Sequence, residues 1–307
     1  MRGIKEGVVA VVVMFVGSQV SYGCEGRQLS SIESWAYQLQ TTEPQEISTT
    51  GFDLAVVDYS RDGSQEMAFN EQEVAQMKMR STACQRLVLS YMSIGEAEDY
   101  RFYWDPSWSQ QHPEWMRSEN EEWGGNYPVD YWRPEWRQII FGSPQAYLDR
   151  IIAAGFDGVY LDRVDVYWER REDRSTSQQD MVQFVRELSA YAKALRPSFL
   201  IVPQNAEGLL EVAEYMEVID GIAKESLFYL PGKSGARPPK DEFEYSYGVL
   251  KQAIDAGKFV LTVDYTSEPK YVTDVYAAGR KAGFIPYVTV RDLDQLTINS
   301  GYDPVLQ

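Results

Sequence analysis

The stretch GFDGVYLDRVDVYW, from Gly155 to Trp168, decides how the rest of the chain is read. Its centre, Val159-Tyr160-Leu161, has the near-continuous apolar character of a strand buried on both faces, as in a parallel sheet. The run then finishes on Asp162, and a second carboxylate, Asp165, follows three residues later. A carboxylate at the edge of a core is costly unless it is paired, hydrogen-bonded or put to use. What such a strand end is for depends on how many others like it the chain contains.

Working outward, seven further runs have the same character. Before this stretch come Trp35 to Leu39, Leu54 to Tyr59 and Leu87 to Tyr91; after it come Phe199 to Asn205, Gly221 to Glu225, Phe259 to Tyr265 and Phe284 to Val288. Amphipathic helical patterns separate most of them. Ser143-Pro144 opens one that carries Tyr147, Leu148, Ile151 and Ile152 on one face and stops at Gly155. Met181, Phe184, Val185, Leu188 and Tyr191 form another, ended by Pro197. Phe243 to Ile254 and Tyr271 to Ala282 supply two more. Eight strands alternating with helices predict an α/β fold of the (β/α)8 TIM-barrel type. A Trp- and Tyr-rich insertion, Glu96 to Phe141, follows the third strand and should cover one end. In that architecture active sites form at the C-terminal ends of the strands. Asp58, Asp162, Glu225 and Asp264 all fall at such ends.

The N-terminus is a separate segment. Arg2 and Lys5 precede the apolar run Val8 to Val16, and small residues follow at Ser21 and Gly23. This reads as a signal peptide, 1–23, with a linker at 24–31 and the barrel at 32–307. The apolar run is short for a membrane span. Cleavage after Gly23 would leave Cys24 first, which suits either a lipid anchor or a disulfide with Cys84, the other cysteine of the chain. A lipobox would carry Leu or a similar residue where Ser21 stands. Either fate places the protein outside the cytoplasm: secreted, periplasmic or extracellular.

Composition narrows the chemistry. With 46 acidic against 29 basic side chains the chain is formally −17, a field that repels nucleic acid and anionic lipid and favours cationic ligands. The one histidine, His112, lies in the insertion, so neither a His/Cys metal site nor a Ser-His-Asp triad can be assembled in the ordinary way. Phosphate-binding loops are absent and no cofactor is implied. A cleft of carboxylates, Tyr, Trp and Asn remains. Two carboxylates flanking a scissile bond are what glycoside hydrolysis requires, and aromatic rings and amides bind sugars.

Longer segments carry a resemblance. Trp35 to Gln40, Phe52 to Tyr59, Ser90 to Arg101, Asn126 to Trp136, Gly155 to Asp162, Pro203 to Glu207 and Lys224 to Phe228 keep the order of the endo-α-1,4-polygalactosaminidase glycoside hydrolase family, a family-114-like barrel family, which the chain resembles. It departs at Ala206, where many members carry Gly, a difference that bears on loop shape. The resemblance implies a catalytic pair at Asp162 and Glu225, and a substrate that is a galactosamine-containing, cationic polysaccharide cut at α-1,4 linkages. On this reading Asp162 is the nucleophile or base and Glu225 the general acid. Tyr37, Asp58, Glu96, Asn205, Asp264 and Tyr265 are the candidate sugar contacts. Glu207 reads as the first-turn acid of a helix or an alternative acid, and Asp165 as an orienting or capping residue. Strand alternation turns Lys224 to the face opposite Glu225. The competing readings are a non-catalytic carbohydrate-binding surface protein and a hydrolase of a different glycan.

Overall fold

The computed structural model describes residues 29–80 and 85–304. The expected signal segment, Cys24 and Cys84 lie outside the described residues, and with them the lipid-anchor and disulfide expectations.

All eight expected strands are present. They are β1 (Trp35–Tyr37), β2 (Leu54–Val57), β3 (Leu87–Ser93), β6 (Gly158–Asp162), β7 (Leu200–Pro203), β8 (Gly221–Glu225), β9 (Phe259–Tyr265) and β10 (Ile285–Thr289), with β4 (Glu96–Glu98) and β5 (Asn126–Pro128) forming an antiparallel hairpin in the insertion. The order β1-β2-β3-β6-β7 makes one parallel ladder and β8-β9-β10 another. A parallel bridge from Gln204 to Ala223, with the Asn205 N–H donating to the Ala223 carbonyl at 2.8 Å, joins β7 to β8. β10 meets β1 where the Trp35 indole N–H donates to the Ile285 carbonyl at 2.8 Å. The fold is a (β/α)8 TIM barrel.

Alternation along the strands sorts the core into two parts. Trp35, Tyr37, Val56, Leu89, Tyr91, Tyr160, Val202, Ala223, Val263 and Tyr287 fill the barrel interior. The intervening residues, such as Val57, Val88, Val159, Leu161, Ile201, Ile222 and Val260, pack outward against the helices. The long outer helices are Ser177–Leu195, Lys240–Asp255 and Pro269–Ala282. The helix expected at Ser143-Pro144 starts later, over Tyr147–Ala153, because Ser143 to Ala146 first closes a turn through the Ala146 N–H and Ser143 carbonyl.

Candidate active site

Three consecutive barrel strands end on side chains of the inner face: Asp162 on β6, Gln204 just beyond β7 and Glu225 on β8. Each is followed by non-glycine residues in the left-handed region: Arg163 at φ 57°, Asn205 and Ala206 at 56° and 53°, Ser226 at 53°. Such backbone costs roughly 1–3 kcal/mol per residue and gathers where function constrains the chain. Ala206 stands where only glycine would be free of that cost. Strand alternation carries the side chains inward, and the sharp turn that follows leaves them on the wall of a cavity of about 830 Å3, within the size range of small-ligand clefts.

Gln204 ties the two carboxylates together. Its amide nitrogen donates to Asp162 Oδ1 at 3.0 Å and to Glu225 Oε2 at 2.7 Å. The Tyr91 hydroxyl donates to Asp162 Oδ2 at 2.6 Å. Glu225 also receives the Asn205 amide at 3.2 Å and the Tyr265 hydroxyl, while its own backbone N–H donates to Asn205 Oδ1 at 3.2 Å. Every oxygen of the pair therefore accepts from an uncharged side chain. Burial, and then the neighbouring Glu225 carboxylate, push Asp162 up to about 6. Burial likewise holds the Tyr91 and Tyr265 hydroxyls well above the ordinary phenol range, so both remain donors at neutral pH.

The other expected contacts divide. Tyr37 and Asn205 line the cavity; Tyr37 packs on Tyr160 beneath the pair, with ring centroids 5.0 Å apart. Glu96 reaches the wall from the insertion, where it accepts from Asn120 at 2.8 Å and pairs with Arg163 at 3.0 Å. Burial raises its pKa, against the opposing effect of Arg163. Gly95 permits this approach, since a side chain there would collide with the Arg163 carbonyl. Asp58 lines the rim, but its two oxygens are taken by the Arg101 guanidinium at 2.7 and 2.8 Å, and Arg101 also holds Glu98 at 2.7 Å.

Asp264 departs from the expectation that it faces the cleft. It lies between inward-facing Val263 and Tyr265, so alternation turns it outward. It is 0% exposed and accepts the Phe228 and Tyr229 backbone N–H groups at 2.9 and 2.8 Å. It thereby fixes the segment that follows Glu225, and burial lifts its pKa to about 7. Lys224 also faces outward, pairing with Glu207 at 3.1 Å. Burial acts to raise the Glu207 pKa, but Lys224 and the Ser246 hydroxyl outweigh it and the net shift is downward. Glu207 opens a 3-10 turn, Glu207–Glu211. Gln204, Tyr91 and Arg163 were not singled out from sequence. The same alternation that places Asp162 and Glu225 inward would have placed Gln204 and Tyr91 beside them.

A barrel whose strand ends present two carboxylates on a shared amide has the equipment of a glycoside hydrolase. The sequence pattern of glycoside-hydrolase family GH114 matches residues 22–303, and the chain belongs to that family. Its reaction class is hydrolysis of a glycosidic bond, and its substrate a carbohydrate. An uncharacterised protein of Methanocaldococcus jannaschii, MJ1477, is 40% identical over 278 residues, covering 85% of this chain and 77% of its own. One from Thermotoga maritima is 35% identical over 313 residues, 97% of this chain and 93% of its own. The glycoside hydrolase domain of PelA from Pseudomonas aeruginosa shares the fold: TM-score 0.62 at 19% identity, covering 86% of this chain and 97% of that one.

Proposed function

We propose that this protein hydrolyses α-1,4 linkages in a galactosamine-containing, cationic polysaccharide outside the cytoplasm, retaining the anomeric configuration. The observation that carries the mechanism is the single Gln204 nitrogen bonded to both carboxylates. Two hydrogen bonds of 3.0 and 2.7 Å meeting at one atom keep the facing oxygens close, which supports the near pairing of retaining enzymes over the separation of roughly 6.5–9.5 Å that inverting enzymes need to admit a water. Asp162 attacks the anomeric carbon as the bond to the leaving oxygen breaks, and that oxygen takes its proton from Glu225. Water then attacks the glycosyl ester while Glu225 recovers a proton from it, and Asp162 is released.

Burial, and then the neighbouring Glu225 carboxylate, keep a proton on Asp162 up to about pH 6. The reaction requires that proton on Glu225. Two effects of bound sugar favour the transfer: it strips water from Glu225, and the positive charge developing at the anomeric carbon stabilises an ionised Asp162. The net charge of −17 supports a cationic substrate. The test is digestion of a partly deacetylated galactosamine polymer, followed by reducing ends and product size. Chain shortening by the wild type, absent in Asp162→Asn and Glu225→Gln, is expected. Binding without shortening would favour a non-catalytic carbohydrate-binding protein.

A further inference from the structure

The acids around the cavity differ in what occupies them. Asp162 and Glu225 share Gln204, Asp58 holds Arg101, and Glu96 holds Asn120 and Arg163. Asp62 accepts from Ser60 and Ser64, and Asp292 is exposed at the rim. Asp165 is different. It lines the cavity three residues beyond Asp162, is half-buried, and no hydrogen bond reaches its carboxylate among the described residues. It precedes the short helix Val166–Glu169 without capping it. Its nearest cation, Arg163, lies 3.7 Å away, beyond hydrogen-bond length. That guanidinium is already committed to Glu96 at 3.0 Å and Glu169 at 2.7 Å. Burial, opposed by Arg163 and reinforced by Asp162, raises Asp165 to about 6. The cavity wall thus presents, beside the reacting pair, a carboxylate that is 40% exposed and, among the described residues, held by the protein only through a long ion pair with Arg163.

A half-buried carboxylate held only by a long ion pair gains from a ligand that brings both charge and hydrogens. On a sugar ring the group that does so is a primary ammonium, a compact charge with three donors. We propose that Asp165 is the counter-ion for a free amine on the sugar unit held next to Asp162, and that it sets the preference for amine-bearing over N-acetylated units. An N-acetyl group offers one neutral N–H and puts a methyl against the carboxylate. This inference rests on the glycan-hydrolase reading above and assigns one residue to its selectivity.

The test is equilibrium binding, by calorimetry on the full chain, of a galactosamine oligomer and its fully N-acetylated counterpart. Wild type, Asp165→Asn and Asp165→Glu are compared, each carrying Glu225→Gln in the binding measurement so that the oligomers stay intact, and the unaltered wild type is assayed separately for shortening. Loss of one charge-assisted contact corresponds to roughly ten- to a hundredfold in affinity. Asp165→Asn should lose that much for the free-amine oligomer and leave the acetylated one within about twofold. Asp165→Glu should keep most of the preference, which a merely structural role would not do. Equal losses for both ligands, an unchanged amine preference in Asp165→Asn, or a wild type that binds neither oligomer overturns the proposal. Failure of the hydrolase reading looks different: the wild type would bind the amine oligomer selectively through Asp165 yet never shorten it.

Discussion

Replacing Asp162 by Asn should remove activity and, above neutral pH, make the protein more stable. The carboxyl rises from its ordinary 3.8 to about 6 on folding, chiefly through burial. A folded-state pKa that is raised means the native protein holds the proton more tightly than the unfolded chain. Stability from this group is therefore greatest below about pH 4, falls between pH 4 and 6, and stays low above pH 6. The full cost of carrying the ionised group is about 3 kcal/mol. Asn removes that cost but can accept from only one of Tyr91 and Gln204 at full strength, a loss of about 1 kcal/mol. Near pH 7.5 the variant should be about 2 kcal/mol more stable than wild type; near pH 4 it should be about 0.5 kcal/mol less stable. Equilibrium urea unfolding at the two pH values, with equal slopes, reads this directly. A difference that is the same at both pH values, or a variant destabilised at pH 7.5, would refute the account of the buried pair.

Three other outcomes follow from the same geometry. Activity requires one proton on the pair, so kcat/KM should fall as pH rises through about 6; a rate flat from pH 5 to 8 contradicts this. Gln204→Leu removes the donor common to both carboxylates and should lower kcat on the order of a hundredfold with KM little changed; a pure KM effect would make Gln204 only a binding residue. Ala206→Gly relieves a left-handed residue and should leave stability unchanged or raise it by about 1 kcal/mol, whereas Ala206→Val should lose more than about 1 kcal/mol. Urea midpoints of the two variants check it.

The strands were legible because each is a short apolar run ending on polar or aromatic residues, and burial on both faces leaves that signature wherever it occurs. Asp162 and Glu225 were legible for the same reason, as polar residues where such a run stops. Asp264 shows where this reasoning was too coarse. Position at a strand end does not distinguish the two faces, and one residue of offset from Val263 and Tyr265 turns the carboxylate away from the cavity. Applied strand by strand, alternation would also have brought Gln204 and Tyr91 inward. Arg163 and Arg101 were not accessible in that way. Their partners Glu96 and Asp58 belong to distant parts of the chain, and no local pattern encodes a pairing between a strand end and an insertion. The left-handed backbone after each of these three strand ends was equally hidden, because Arg163, Asn205 and Ser226 are not the glycines that announce such turns.

The most direct measurement is to trap the covalent intermediate. Glu225→Gln, which lacks the acid and base but keeps Asp162 and its donors, would be incubated with an α-galactosaminyl fluoride, whose leaving group needs no protonation. The quenched protein would then be digested and its peptides weighed. The account predicts a single galactosaminyl ester on Asp162, formed by the Glu225→Gln protein and absent from one that also carries Asp162→Asn. A sugar ester on another carboxylate, or an unmodified protein that still releases fluoride, would contradict it.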